Sequence, residues 1–113
     1  HVVSRAEVYR DAFAIAIFNG EGLESPTIGG AKAANQLLDI SGIKASFVIT
    51  EYNEKIYISA RSIDEVNVQL VMEKLGGGGH MSIAGAQLTG CTVKEAVDTI
   101  KETLDNMLAE GEI

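Results

Sequence analysis

The stretch ASFVITEYNEKIYISAR, residues 45–61, predicts two β-strands joined by a short turn. The strands cover residues 45–52 and 55–61, and only Asn53 and Glu54 lie between them. A connection this short is typical of antiparallel neighbours, because parallel strands need a long crossover. We therefore expect a β-hairpin here.

The second strand of the hairpin has one apolar and one polar face, because successive side chains of a strand point to opposite sides. Its apolar side carries Ile56, Ile58 and Ala60, and its polar side carries Tyr57, Ser59 and Arg61. The polar side is therefore a candidate surface for a ligand.

Upstream of the hairpin the sequence predicts one strand and one helix. Residues 12–18 are apolar at every position, which is typical of a central strand covered on both faces. Residues 25–40 predict an alanine-rich helix, after which Gly42 is a candidate for the C-terminal cap. Residues 1–11 are mixed and polar, which favours a linker or an entering loop.

Downstream of the hairpin the sequence predicts two helices with a short strand between them. An apolar stripe over residues 68–75 indicates a helix that Asn67 caps and Gly76 ends. Residues 84–89 predict the strand. The last helix covers residues 93–108, where Thr92 and Glu95 fit a capping box.

The expected fold class is α/β, with helices packed on a mixed sheet of about four or five strands. The domain is expected over residues 12–110. Residues 1–11 would link it to a preceding domain, and residues 111–113 would be a tail.

Composition excludes several classes of protein. The chain has 113 residues, one cysteine and a net charge of −7, which rules out an internal disulfide, a zinc finger and the basic footprint of a general nucleic-acid binder. No apolar run approaches the roughly 20 residues of a membrane helix. A local cationic pocket for a small anion remains compatible with this charge.

Four glycines followed by a histidine, Gly76-Gly77-Gly78-Gly79-His80, are the most unusual feature of the chain. Ordering each glycine costs roughly 0.5–1 kcal/mol more than ordering alanine, so the run needs a reason. One reason is an anion-binding nest of backbone N–H groups, to which His80 could also donate. The other is a flexible hinge. In the first case positive φ or close approach is expected, and Gly78→Val should damage the fold or the site.

Two further residues could face the same anion. The Arg61 guanidinium matches two phosphate oxygens and lies on the same strand face as Ser59, although an ion pair with Glu51 or Asp64 is the simpler interpretation. Asn67 either caps its helix only or also faces an anion. The sequence predicts no catalytic residue and no metal ligand in this chain.

The run Gly77-Gly78-Gly79-His80, followed by Ala84-Gly85, resembles the GGGH motif of the DHHA1 domain of DHH-family phosphoesterases. Four other segments look like the membrane-anchored cyclic-di-AMP phosphodiesterases of Gram-positive bacteria: GIKASFV (42–48), SARS (59–62), NVQ (67–69) and MEKL (72–75). Ile83 departs from the pattern, since members of the family often carry alanine or asparagine there.

The resemblance implies a division of labour within a longer hydrolase. A DHH domain, whose Asp-His-His motif this chain lacks, would hold two Mn²⁺ ions and cut cyclic-di-AMP to linear pApA. This chain would bind no metal or cofactor itself. It would hold the nucleotide through Gly77, Gly78, Gly79 and His80, with help from Arg61 and Ser59 and a weaker contribution from Asn67.

The resemblance also implies partners and a location. The DHH domain would be a partner in cis, the domain would be cytoplasmic and the full-length protein would be anchored in the plasma membrane. A homodimer of that protein is compatible with the family. Two other functions stay open: a non-catalytic RNA-binding module, like the C-terminal domain of alanyl-tRNA synthetases, or the equivalent domain of an oligoribonuclease or RecJ-type exonuclease. A bare interaction domain, with the glycine run as a hinge, is a further alternative.

Overall fold

The computed structural model describes residues 3–18, 26–40, 42–52, 54–63 and 66–112, and these ranges contain six strands and three helices. In chain order the elements are β1 (Val3–Tyr9), β2 (Phe13–Phe18), α1 (Pro26–Leu37), β3 (Ala45–Tyr52), β4 (Lys55–Ser62), α2 (Val68–Lys74), β5 (Gly78–Gly79), β6 (Ile83–Thr89) and α3 (Val93–Ala109). The α/β class is confirmed, and the sheet is larger than the four or five strands expected.

All these strands belong to one mixed sheet in the order β1-β2-β3-β4-β6-β5. Only β2 and β3 pair in parallel, and α1 connects them as a crossover helix. Every other neighbouring pair is antiparallel. The hairpin predicted from residues 45–61 is confirmed as β3–β4, with Glu54 of its turn at φ 64°.

The expectation of a loop in residues 1–11 is wrong, because β1 forms there and pairs with β2 along its length. β1 is an edge strand with one packed side: Tyr9 packs against the core while Val8 is 56% exposed. A strand at an edge needs no continuous apolar run, so its mixed sequence resembles a loop. Within the predicted tail, Gly111 and Glu112 close the end of α3, since the Glu112 N–H donates to the Met107 carbonyl.

Helix boundaries agree with the sequence except at α1. Asn67 caps α2, Gly76 follows its last turn at φ 87°, and the capping box of Thr92 and Glu95 opens α3. α1 ends at Leu37. In residues 38–40 each N–H donates to the carbonyl three residues back, so these residues form tight turns and do not continue the α-helix. Ser25, the predicted start of α1, lies outside the described residues.

The sheet separates two apolar cores. On one face, which we call the α2/α3 face, α2 and α3 pack against strand residues that include Phe47, Ile56 and Ile58. On the other, which we call the α1 face, Ala33, Ala34 and Leu37 of α1 pack against Ala14, Ala16, Phe18 and Val48 of β2 and β3. No described helix is long and apolar enough to cross a bilayer.

α1 lies unusually close to the sheet at Gly30. A Cβ at this position would be 2.7 Å from Thr50 Oγ1 and 3.5 Å from Ser59 Oγ, so only glycine fits without a shift of the helix or of the Thr50 side chain. The Ser46 hydroxyl donates to the Ala34 carbonyl over 2.6 Å and so ties the helix to β3. Thr50 Oγ1 is buried without a hydrogen-bond partner among the described residues.

β5 can lie close to β6 because Gly77 and Gly79 have no side chains. A Cβ on Gly77 would overlap the Gly85 carbonyl oxygen, and one on Gly79, whose φ is +146°, would meet the backbone of Ala84. Gly78 has open space where its Cβ would be and no left-handed φ. The fold therefore does not need glycine at position 78, so an effect of Gly78→Val is expected on the site and not on the fold, whereas positions 77 and 79 do require glycine.

A cluster of polar side chains joins the β1–β2 turn to α3. The Tyr9 hydroxyl donates to both carboxylate oxygens of Asp105 at 2.8 and 2.9 Å, and Arg10 Nε donates to the same carboxylate at 3.0 Å. The hydrogen bond from Arg10, followed by the one from Tyr9, lowers the pKa of Asp105. The ionised carboxylate is thus the form that the native state prefers.

Asp105→Asn should lower thermal stability at pH 7. Because the native pKa of Asp105 lies below its unfolded value, this contribution is complete above the unfolded pKa and is lost as pH falls through the native one. The melting-temperature gap between wild type and variant should therefore shrink only below pH about 4. Asp98→Asn, in an exposed ion pair with Lys94, is the control and should have little effect. A gap that is equal at pH 7 and pH 3 would contradict the role of the ionised carboxylate.

Gly77→Ala should destabilise the domain, because the added methyl would overlap the backbone of β6. We expect a loss of about 1–3 kcal/mol in the free energy of unfolding, measured by urea denaturation. Gly78→Ala is the matched control: it should be neutral or stabilise by up to about 1 kcal/mol, since it only reduces the entropy of the unfolded chain. Equal losses at the two positions would contradict the packing described here.

Candidate functional site

Strand register brings Arg61 and His80 to the same end of the α1 face. Arg61 of β4 lies directly opposite Ile83 of β6, and the His80 N–H donates to the Ile83 carbonyl over 2.6 Å. Directly opposed residues of antiparallel strands share a face, and neighbouring strands lie about 4.8 Å apart. Arg61 and His80 therefore flank Ile83, with about 10 Å between their backbones.

The next row of the sheet is nearly free of side chains. Ser59 of β4 faces Gly85 of β6, which in turn faces Gly78 of β5. On the far side of Ser59 the row continues to Val48, which is buried under α1. A flat backbone surface thus begins where the cover of α1 ends.

We call one end of the α1 face, at and beyond the edge of α1, the open strip, and we define it by Ser59, Arg61, Gly78, His80, Ile83 and Gly85. α1 packs on β2, β3 and β4, whereas Ile83 of β6 is 52% exposed. The strip carries no carboxylate, although the chain as a whole has a net charge of −7. It is therefore a local surface on which an anion meets no repulsion from a neighbouring strip residue.

Arg61 forms no ion pair with any described residue. Its Nη1 donates to the Ala60 carbonyl at 2.8 Å, and burial lowers the pKa of the guanidinium. Glu51 is excluded as a partner because Arg61 lies opposite Ser46, five residues and about 17 Å away along β3. Asp64, the other predicted partner, lies outside the described residues.

The side chains of Ser59 and His80 have no hydrogen-bond partners among the described residues. His80 is exposed at the start of the turn to β6, and Ser59 is half-buried beside Gly30 of α1. An imidazole and a hydroxyl can each donate to an anionic oxygen. Together with Arg61, they give the strip three side chains able to donate to one ligand.

The glycine run does not form a nest of consecutive free N–H groups. The N–H groups of Gly76 and Gly77 donate to the carbonyls of Glu73 and Met72, and that of His80 donates to Ile83. What the run contributes to the strip is the bare surface at Gly78, where nothing lies within 4 Å of a hypothetical Cβ.

Asn67 is not part of the strip. Its side-chain oxygen accepts the N–H groups of Gln69 at 3.0 Å and Leu70 at 3.4 Å, so it acts as the cap of α2. α2 packs on the opposite face of the sheet. The structure therefore confirms the cap and separates Asn67 from the other predicted site residues.

Ile83 and Gly85 belong to the strip but do not stand out as site residues in the sequence. Both lie on β6, and their place beside Arg61 and Ser59 follows only from the β4–β6 register. Within the described residues, no three His, Cys, Asp or Glu side chains gather closely enough to hold a metal ion.

Comparison with known proteins places these features in a family. The family model for the DHHA1 domain matches residues 13–110. The cyclic-di-AMP phosphodiesterase PdeA of Listeria monocytogenes is 45% identical over 105 residues, which is 92% of this chain and 16% of that protein. The cyclic-di-AMP phosphodiesterase GdpP of Bacillus subtilis is 38% identical over 97% of this chain and 17% of that protein. The chain thus spans about a sixth of these relatives.

Solved structures share the fold. An exopolyphosphatase-related protein from Bacteroides fragilis superimposes with a TM-score of 0.78 and 26% identity, over 94% of this chain and 32% of that one. The C-Ala domain of Aquifex aeolicus alanyl-tRNA synthetase has a TM-score of 0.66 and 22% identity, over 88% of this chain and 97% of that one, which shows the shared fold alone. The match to the family model, together with the identity to the two phosphodiesterases, shows that the chain belongs to the DHHA1 domain family.

Proposed function

We propose that this chain is the C-terminal substrate-binding domain of a cyclic-di-AMP phosphodiesterase and that it binds nucleotide phosphate on the open strip. The observation that carries the proposal is that Arg61 and His80 flank Ile83 on one face, beside the bare surface of Gly78 and Gly85. Two curated relatives whose names give this activity support the choice of substrate.

The chemistry of the strip suits a phosphodiester. A guanidinium presents a rigid fork of donors that matches two phosphate oxygens. Arg61 is half-buried and its only described partner is a backbone carbonyl, so an incoming anion would not have to displace a carboxylate of the described residues. Gly78 and Gly85 let a ligand approach the backbone without side-chain contact. These features favour one or two anionic groups held locally, in contrast to a long polyanion.

In our proposal, another domain of the same enzyme carries out the hydrolysis. The sequence contains no Asp-His-His motif and only two histidines, and its described acids and histidines do not cluster. An upstream DHH domain with two Mn²⁺ ions would supply the activated water and yield linear pApA. We place this domain on the cytoplasmic side of a membrane-anchored protein of a Gram-positive bacterium, with the DHH domain in cis and a homodimer as the assembly.

Binding should depend on Arg61 and His80. Arg61→Ala should weaken the affinity for cyclic-di-AMP about tenfold to a hundredfold, because a hydrogen bond to a charged group is worth roughly 1.5–3 kcal/mol. His80→Ala should cost less, since the guanidinium carries a full charge at every accessible pH. NMR titration of the chain with the dinucleotide measures both affinities.

Lys55→Ala is the matched control for this titration. Lys55 is a cation on the same strand and the same side as Arg61, but it is exposed six residues away and lies opposite Thr89. Its replacement should leave the affinity unchanged. If Arg61→Ala and His80→Ala also bind like wild type, the strip is not the binding site. A steep decrease of affinity with salt would instead favour a polyanion such as RNA.

The chain by itself should not hydrolyse cyclic-di-AMP when Mn²⁺ is added. Its described residues offer no set of ligands for a two-metal site, so no activated water is expected. Chromatographic detection of linear pApA measures the outcome, with a complete DHH–DHHA1 phosphodiesterase as positive control. Turnover that stays with the chain through repeated purification would contradict the division of labour proposed above.

A further inference from the structure

Ile83 is an exposed aliphatic side chain in the middle of a polar site. It is 52% exposed and stands between Arg61 on β4 and His80 at the start of the turn. Burying the side chain of an isoleucine gains roughly 1.5–3 kcal/mol, and about half of this residue stays exposed here. The exposed apolar surface is therefore available to a ligand.

The fold does not depend on the size of this side chain. Ile83 points to the α1 face beyond the cover of α1, and its structural contacts are made by its backbone, which accepts the His80 N–H and pairs with β4. It is absent from both buried cores. Any residue that is compatible with a β-strand could make the same backbone contacts.

The neighbours of Ile83 define what could rest against it. An anion held by Arg61 and His80 must lie above or beside Ile83, since that residue separates them in the row. The next position on the same face of β6 is Gly85, which leaves the surface beside Ile83 low and flat. A ligand that fills this space combines an anionic group with an apolar group a few bonds away, as the phosphate and the ribose–base portion of a nucleotide do.

We propose that Ile83 determines specificity for nucleotides by packing against the nucleoside portion of a ligand whose phosphate contacts Arg61 and His80. The inference rests on the function proposed above and adds to it a residue that discriminates nucleotides from simple phosphates. Ile83 supplies contact area only, so it should affect the affinity for a nucleotide and leave that for an inorganic phosphate unchanged.

The test compares two ligands on one set of variants of this chain. Linear pApA and inorganic pyrophosphate are titrated by NMR into wild type, Ile83→Ala, Ile83→Val and Arg61→Ala. Ile83→Ala should weaken pApA binding about threefold to tenfold and leave pyrophosphate within about twofold of wild type. Ile83→Val should stay near wild type for both ligands. Arg61→Ala should weaken both ligands.

Val8→Ala is the control for an exposed aliphatic side chain on the same sheet. Val8 is 56% exposed and lies opposite Ala14, in the row that leads through Ser46 to Arg61, but at the far edge. It should change neither affinity.

The outcomes separate this inference from the function on which it rests. If Arg61→Ala weakens both ligands while Ile83→Ala weakens neither, or weakens both equally, the specificity role of Ile83 is wrong and the phosphate site stands. If wild type binds neither ligand, or if Arg61→Ala changes neither affinity, the phosphate site is wrong and the role of Ile83 falls with it.

Discussion

The close approach of β5 to β6 is the constraint on which the open strip depends. Side chains at Gly77 or Gly79 would push the two strands apart, and the turn that carries His80 would then leave its place beside Ile83. The two glycines that the fold requires thus position the site, whereas Gly78, which the fold does not require, forms part of its surface. Fold and binding place different demands on neighbouring residues of one short run.

α1 covers only part of the α1 face, and the edge of this helix limits the strip on one side. Gly30 lets α1 pack closely on Val48, Thr50 and Ser59. The contact between the helix and the sheet ends there, beside the strip. On the opposite face α2 and α3 cover the same strands. Because only one side is left open, Arg61 can be half-buried and still face a ligand. An acidic chain can in this way keep one cation on a surface where no described carboxylate pairs with it.

Most of the fold could be predicted from local sequence patterns, whereas most of the site depends on the long-range register of the strands. The β3–β4 hairpin, the Asn67 cap and the Thr92 capping box were predictable because each rests on residues close in sequence. β1 was not, because an edge strand packed on one side resembles a loop. The sequence identifies Arg61, Ser59 and His80 as candidates, but their placement on one face follows from the insertion of β6 between β4 and β5. The place of Ile83 in the site follows only from that register.

The brevity of β5 has a consequence for amide hydrogen exchange. This strand has two residues, both glycine, and lies at the edge of the sheet, so only backbone hydrogen bonds hold it. Such a segment can open locally at a free energy well below that of global unfolding, while the centre of the sheet stays closed. Occupation of the strip would raise the cost of that opening. Exchange protection in β5 therefore reports ligand on the strip independently of the stability of the core.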